Sequence, residues 1–261
     1  MHERLSLTDD SLIAGYAENI QRFEFALEWC RGKRVLDAGC GSGYGAHFLA
    51  SNGAASVLAV DISSAAVTEA AGTYRRDNLR FATGDLQNLA AHVQGGQFDA
   101  IVNFETLPHL AEPEKFMHGV SSALAADGVF ICSTPNGELV ATGRDGSPLY
   151  KYQHKTYTAD GLHAFLSARF GQVVLYGHSL THQGRLRKVR ARELFAQLSE
   201  AYYNPAARVG RAIRRLAGKK NAGPPVYSGE ADSYAGDYVI APLASARFAW
   251  PPTTLLAVCR G

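Results

Sequence analysis

The chain has 261 residues, of which 46% are hydrophobic and 19% charged, and its formal net charge at pH 7 is +2. This composition excludes a disordered chain, and so small a net charge gives no general attraction for nucleic acid. The four cysteines are widely spaced, and no apolar run approaches the roughly 18 residues of a membrane span. We therefore expect a cytoplasmic protein with no metal site and no disulfide framework.

The predicted elements begin with a helix over 12–29, where apolar residues recur at helical spacing. The next elements are strand 34–37, helix 46–51, strand 56–60, helix 63–74, strand 79–82 and strand 98–104. They are followed by helix 112–124, strand 129–133, helix 158–170, strand 172–176 and strand 254–259. Strands that are apolar throughout are typical of a parallel sheet covered on both faces. The sequence thus predicts a doubly wound α/β fold with a seven-stranded, mostly parallel sheet.

One long segment departs from the alternation of strands and helices. Residues 179–253 separate the last two predicted strands, and their stretch 185–220 holds eleven basic residues and two acidic ones. We expect a core domain at 1–178, a basic helical insertion or cap at 179–253 and a final core strand at 254–261. The insertion could be a solvated cap, a lid that recognises an anionic substrate, or a contact for a membrane surface or nucleic acid. DNA is not an expected partner, and the oligomeric state is not predicted.

The turn after the first strand carries the most specific motif in the chain. Gly39, Gly41 and Gly43 allow the backbone to turn sharply into a helix and let a ligand approach the main chain. Tyr44 stands where a pyrophosphate-binding fingerprint needs its third glycine, which disfavours a dinucleotide-dependent dehydrogenase. Asp37, just before the turn, suits a ligand that bears an amino group.

Two further acids follow the next two strands. Asp61 ends the second strand and can accept hydrogen bonds from two ribose hydroxyls. Asp85 follows the third strand and can accept a hydrogen bond from the amine of an adenine ring. Acids at the ends of three successive strands, together with the glycine turn, indicate a nucleoside far more specifically than glycines alone.

With these motifs the chain resembles the class I S-adenosylmethionine-dependent methyltransferases, especially the branch that acts on small molecules and sugars. The resemblance covers about residues 12–178. It implies that Asp37 contacts the methionine amino group, that Asp61 binds the ribose, and that Asp85 and the Leu86 backbone contact the adenine. It also implies S-adenosylmethionine as cofactor, S-adenosylhomocysteine as product, and no metal.

Candidates for the methyl-acceptor side follow the fourth predicted strand or precede the helix at 158–170. His109, His154 and Tyr157 could take the acceptor proton or line the substrate pocket, and each could instead be structural. Glu105 is expected to orient other groups or to face the cofactor. The family pattern has an acid where this chain has Pro108, which weakens the hypothesis of a metal pair or an acid–base dyad.

The resemblance predicts methyl transfer to a hydroxyl, less readily to an amine, of a small molecule or sugar in glycan or natural-product biosynthesis. A methyltransferase for RNA or protein is an alternative, which the salt dependence of RNA binding would distinguish. A cofactor-binding subunit without catalysis is another. The identity of the acceptor, including whether it is anionic, does not follow from the sequence.

Overall fold

A computed structural model describes residues 10–93, 97–140, 152–180, 238–244, 248 and 251–261. The chain divides into two compact units, one made of residues 1–18 and 180–238 and the other of residues 19–179 and 239–261. The site residues discussed below all belong to the second unit. The basic stretch 185–220 lies outside the described residues, so its role stays a prediction.

The second unit is organised around an eight-stranded sheet to which strands from both halves of the chain contribute. Its strands are β1 Arg34–Ala38, β2 Ser56–Asp61, β3 Leu79–Thr83, β4 Phe98–Phe104, β5 Leu124–Pro135, β6 Gln172–Leu180, β7 Tyr238–Pro242 and β8 Thr254–Arg260. Their order in the sheet is β3-β2-β1-β4-β5-β8-β6-β7. Strands β1 to β5 pair in parallel, whereas β8 runs antiparallel to both β5 and β6.

Helices connect these strands, and side chains cap two of them. The helices are α1 Asp10–Cys30, α2 Tyr44–Ser51, α3 Ser64–Thr73, α4 Leu89–Val93, α5 Pro113–Ala123 and α6 Ala159–Ser167. Ser63 caps α3 by accepting from the Ala66 amide, and Thr158 caps α6 by accepting from the Gly161 amide. Two short 3₁₀ turns, Leu86–Asn88 and Leu107–His109, follow β3 and β4.

The predicted α/β fold is confirmed, but the sheet has one strand more than expected. The additional strand is β7, which lies inside the segment predicted as a helical insertion and forms one edge of the sheet. It is only five residues long and partly exposed, with one large apolar residue, Val239, 39% exposed. The run Tyr238–Pro242 is short and apolar like other predicted strands, and it was missed because the whole segment 179–253 was interpreted as a helical insertion.

The hydrophobic core beneath the carboxyl ends of the strands is closely packed. Leu36, Ile101 and Phe130 of the central strands are 0% exposed and belong to one cluster with Phe116 and Met117 of α5. Burial of each such side chain stabilises the fold by about 1.5–3 kcal/mol. The strands therefore give the loops at their carboxyl ends a rigid base.

Candidate active site

The glycine turn between β1 and α2 has three residues in the left-handed region. Gly39, Gly41 and Gly43 have φ angles of 94°, 52° and 81°. A Cβ added at Gly39 would lie 2.3 Å from Thr106 Oγ1, and one at Gly43 would lie 2.7 Å from Ala70 Cβ. A Cβ at Gly41 would meet no atom of the described residues within 4 Å. Gly39 and Gly43 are therefore needed for packing, whereas Gly41 borders open space that a ligand could occupy.

Asp61 holds this turn against the end of β2. Its Oδ2 accepts a hydrogen bond from the Gly41 amide at 2.8 Å, and its Oδ1 accepts one from the Ser63 amide at 2.9 Å. The Gly84 amide also donates to the Asp61 carbonyl at 2.9 Å. Each carboxylate oxygen has a second lone pair, so Asp61 can also accept from hydroxyl groups of a ligand.

Asp37 is a buried carboxylic acid at the start of the turn. It is 2% exposed, and its Oδ2 has no hydrogen-bond partner among the described residues. Burial, and secondarily the charge of Asp61, raises its pKa to about 7. A buried oxygen without a donor is costly, so a ligand ammonium group would satisfy it. Asp37 and the space at Gly41 thus fit the amino-acid end of the cofactor that the resemblance implies.

The loop after β3 places Asp85 and Leu86 at the same edge. Asp85 begins a 3₁₀ turn, where its Oδ1 accepts from the Gln87 amide at 2.9 Å, and its own amide donates to His92 Nε2 at 3.1 Å. The Leu86 side chain is 4% exposed. Ile62, directly after Asp61, is 63% exposed and offers an apolar surface that the sequence analysis missed. The sequence feature that could have identified Ile62 is an apolar residue directly after the acid that ends a strand.

Glu105 is fixed at the end of β4 by groups from α1 and β5. Among the described residues it is the one non-glycine residue with a positive φ, 55°. Its amide donates to Ser133 Oγ at 3.1 Å, and Ser133 Oγ donates to Glu105 Oε1 at 2.7 Å. Arg22 Nε lies 3.9 Å from the same Oε1. Strained residues held this firmly cluster at functional sites.

Arg22 and Ser133 were not among the site residues expected from the sequence. Arg22 is 4% exposed although it carries a charge. An arginine within the apolar repeat of α1 was the available signal, because arginine is rarely buried without a partner. Ser133 is 0% exposed and begins the run Ser133-Thr134-Pro135-Asn136, whose likeness to a family motif was the available signal.

Two predicted histidines lie on segments that the structure ties together. His109 Nδ1 lies 2.8 Å from the Tyr152 carbonyl oxygen, and the His154 amide donates to the Pro108 carbonyl at 2.8 Å. Because a carbonyl only accepts, Nδ1 of His109 carries the proton, so Nε2 is the basic nitrogen of the neutral ring. The rings of His109 and His154 are both on exposed residues.

Tyr157 has a different environment from the histidines. It is 2% exposed, belongs to the main core cluster, and its ring centroid lies 5.5 Å from that of Phe165. Its hydroxyl has no hydrogen-bond partner among the described residues. Burial raises the pKa of this hydroxyl, which disfavours the phenolate form. The geometry therefore gives Tyr157 clear packing contacts beside the loop that carries His154.

The described part of the chain shows neither a metal cluster nor a helix that could span a membrane. It contains no group of three or more His, Cys, Asp or Glu residues that could hold a metal ion. All four cysteines are buried and free. None of the described helices combines the length and apolarity needed to cross a bilayer.

Comparison with protein families and relatives connects this site to a known group. The family model described as a methyltransferase domain matches residues 30–195. A Mycobacterium tuberculosis protein named probable S-adenosylmethionine-dependent methyltransferase is 34% identical over 165 residues, which cover 62% of this chain and 57% of that protein. A Psychrobacter arcticus ubiquinone biosynthesis O-methyltransferase is 32% identical over 139 residues, covering 51% of this chain and 52% of that enzyme. The chain thus spans little more than half the length of these relatives.

Solved structures share the fold at low sequence identity. A SAM-dependent methyltransferase from Archaeoglobus fulgidus has a TM-score of 0.57 at 12% identity, covering 95% of this chain and 94% of that one. One from Mesorhizobium loti has a TM-score of 0.53 at 22% identity, covering 70% of this chain and 94% of that one. At sequence identities this low, the similarity shows a shared fold only.

Proposed function

This chain belongs to the class I S-adenosylmethionine-dependent methyltransferases, and we propose that it moves a methyl group to a hydroxyl of a small molecule or sugar. The observation that carries this proposal is the joining of Asp37, the open glycine turn and Asp61 at one edge of the sheet. When bound, S-adenosylmethionine would supply a methyl group activated by its sulfonium. The protein must then position the acceptor and receive its proton.

The cofactor contacts we propose follow the polar groups of this edge. Asp37 would hold the amino group, because its buried Oδ2 has no donor among the described residues. Asp61 would accept from the ribose hydroxyls while it continues to hold Gly41. Asp85 and the Leu86 backbone would contact the adenine, with exposed Ile62 beneath its ring.

On the acceptor side we assign His109 as the general base. Its bond to the Tyr152 carbonyl fixes the tautomer in which Nε2 can take a proton. His154 would line the acceptor pocket from the adjoining segment, whereas Tyr157 would support that segment by packing. A proton acceptor suits a hydroxyl nucleophile, and two relatives at 32% identity are named as O-methyltransferases.

The experiment combines binding and turnover on the purified protein. We expect titration calorimetry to detect S-adenosylhomocysteine uptake. Asp61→Ala should weaken it about a hundredfold, since Asp61 holds the Gly41 amide by a charge-assisted hydrogen bond and would also accept from the ribose hydroxyls. Asp127→Ala, which removes an exposed acid from β5, is the matched control and should not change the affinity. Absence of uptake by the unaltered protein would contradict the proposal.

Turnover is then measured as S-adenosylhomocysteine release with a panel of acceptors. The panel contains hydroxylated sugars, phenols, small amines and an RNA of mixed sequence. Release with a sugar or phenol supports O-methylation. Release with RNA alone would mean that the acceptor is RNA and not a small molecule or sugar. Uptake of cofactor without release would favour a binding subunit without catalysis.

A further inference from the structure

Glu105 is the carboxylate at this edge to which the proposed cofactor contacts assign no function. Its neighbour Thr106 packs against Gly39, so the segment after β4 touches the glycine turn directly. Burial is the main cause of the raised pKa of Tyr44, the first residue of α2, and the charges of Asp37 and Glu105 both add to it. Glu105 therefore lies between the glycine turn and β5.

The surroundings of Glu105 fix its carboxylate but leave part of its charge uncompensated. Ser133 Oγ and Arg22 Nε approach the same oxygen, Oε1, at 2.7 Å and 3.9 Å. The Glu105 side chain remains 32% exposed, whereas that of Arg22 is 5% exposed. The negative charge thus faces the open edge, and the compensating positive charge lies behind it.

We propose that Glu105 distinguishes the methyl donor from the demethylated product by charge. This inference rests on the proposed function, because it requires the amino-acid end of the cofactor at Asp37. Strand β4 pairs directly with β1, so Glu105, which follows β4, lies next to the strand end that carries Asp37. The sulfur is three bonds from the α-carbon that bears the amino group, so it would lie between Asp37 and the segment of Glu105 and His109. S-adenosylmethionine carries a positive sulfonium there, whereas the thioether of S-adenosylhomocysteine is neutral.

This arrangement gives Glu105 a role in turnover as well as in binding. Its charge stabilises the bound donor and loses its partner when the methyl group leaves. The charge therefore adds to the affinity for the donor and not to the affinity for the product, which favours exchange of one for the other. Because the Glu105 side chain is 32% exposed, solvent screens part of this attraction, and one such charge pair corresponds to a selectivity of roughly tenfold.

The test is titration calorimetry with the two ligands on the full chain. We expect Glu105→Gln to reduce the affinity for S-adenosylmethionine about tenfold relative to that for S-adenosylhomocysteine. Asp99→Asn is the matched control, because it makes the same change of charge near the opposite end of β4, about 20 Å away along the strand. That distance exceeds the screening length at physiological salt, so the control should leave the ratio of affinities unchanged.

Arg22→Gln tests the same inference and should change the ratio of the two affinities in the opposite direction. Removing the guanidinium behind Glu105 should increase the preference for the sulfonium, even where both affinities fall. Glu105→Asp retains the charge and should retain the preference, and these two variants decide the question if Glu105→Gln does not fold.

The inference would be overturned if Glu105→Gln lost the same factor of affinity for both ligands, or if Arg22→Gln left the ratio of the two affinities unchanged. Either result would mean that Glu105 only braces the turn through Ser133. If the unaltered protein still binds both ligands, the proposed function is not affected by that result. Failure of the unaltered protein to bind either ligand would overturn the proposed function together with this inference.

Discussion

At the carboxyl edge of the sheet, the loops on one side of β1 are held in place differently from those on the other. On the cofactor side, Asp61 bonds to Gly41, 20 residues away, and to Ser63, two residues away. On the acceptor side, His109 contacts Tyr152, which is 43 residues distant. Asn136 at the end of β5 donates to the Pro252 carbonyl across 116 residues. One side is built from a nearly continuous stretch of chain, and the other is assembled from distant segments.

This difference indicates how a common cofactor and a variable acceptor can share one sheet. The cofactor side depends on glycine conformations and on acids at strand ends, which few substitutions preserve. The acceptor side depends largely on backbone groups, such as the Pro108 and Tyr152 carbonyls. Many side chains are compatible with backbone contacts, so the acceptor loops can change sequence without disturbing the turn at Gly39.

The largest expected effect tests the rigidity of the cofactor side. Gly39→Ala places a Cβ 2.3 Å from Thr106 Oγ1 at a φ of 94°, and we expect a loss of about 3–4 kcal/mol in the free energy of unfolding. Gly41→Ala meets no described atom within 4 Å and should cost about 1 kcal/mol. Urea unfolding measures both variants. Similar losses in the two would contradict the distinction between packing and ligand space.

Calorimetry on the same glycine pair sharpens the comparison. Gly41→Ala should weaken S-adenosylhomocysteine binding more than its small stability loss explains, because its methyl group would enter the open space. Unchanged affinity in that variant would show that the ligand does not approach Gly41.

The next effect concerns the acceptor side and requires an acceptor from the panel. His109→Asn should lower turnover about a hundredfold, equivalent to about 2.7 kcal/mol, because the variant has no basic ring nitrogen. S-adenosylhomocysteine affinity should stay unchanged, since the proposed cofactor contacts of Asp37, Asp61 and Asp85 lie at β1 or on its other side. His154→Asn is the comparison variant and should raise the Michaelis constant more than it lowers turnover. If His154→Asn gave the larger loss of turnover, the two assignments would be exchanged.

The smallest of the three effects is a gain in stability on the cofactor side. The pKa of Asp37 is about 7 in the folded protein against 3.8 for the unperturbed group, so the folded state keeps a proton that the unfolded state loses. Stability of the ligand-free protein should therefore fall between about pH 4 and pH 7 and stay level above. Asp37→Asn should remove most of this slope and add about 2 kcal/mol at pH 8, since the amide must still be buried.

Calorimetry on Asp37→Asn supplies the contrast that this prediction needs. The more stable variant should bind S-adenosylhomocysteine more weakly, because an amide cannot compensate an ammonium charge. A variant that lost stability at pH 8, or bound the ligand equally well, would contradict the assignment of Asp37.

On the cofactor side the sequence located the glycine turn and the strand-ending acids because their determinants are local, and their contacts with a ligand stay a prediction. The spacing of Gly39, Gly41 and Gly43 and an acid after each strand can be read without knowing which segments meet. The contact of Glu105 with Arg22 depends on how α1 packs against β4, and no local pattern contains that information. For the same reason an aromatic residue such as Tyr157 could be placed near a loop, while its burial could not be foreseen.

The position of β8 has a consequence for how the protein forms during translation. This strand pairs with β5 along residues 129–135 and with β6 along residues 172–178. Both strands therefore present unpaired backbone edges until residues 254–260 have left the ribosome. Exposed edges of this kind invite mispairing, and contacts over so long a sequence separation form slowly. We expect the half of the sheet that carries the acceptor loops to complete its pairing last during synthesis.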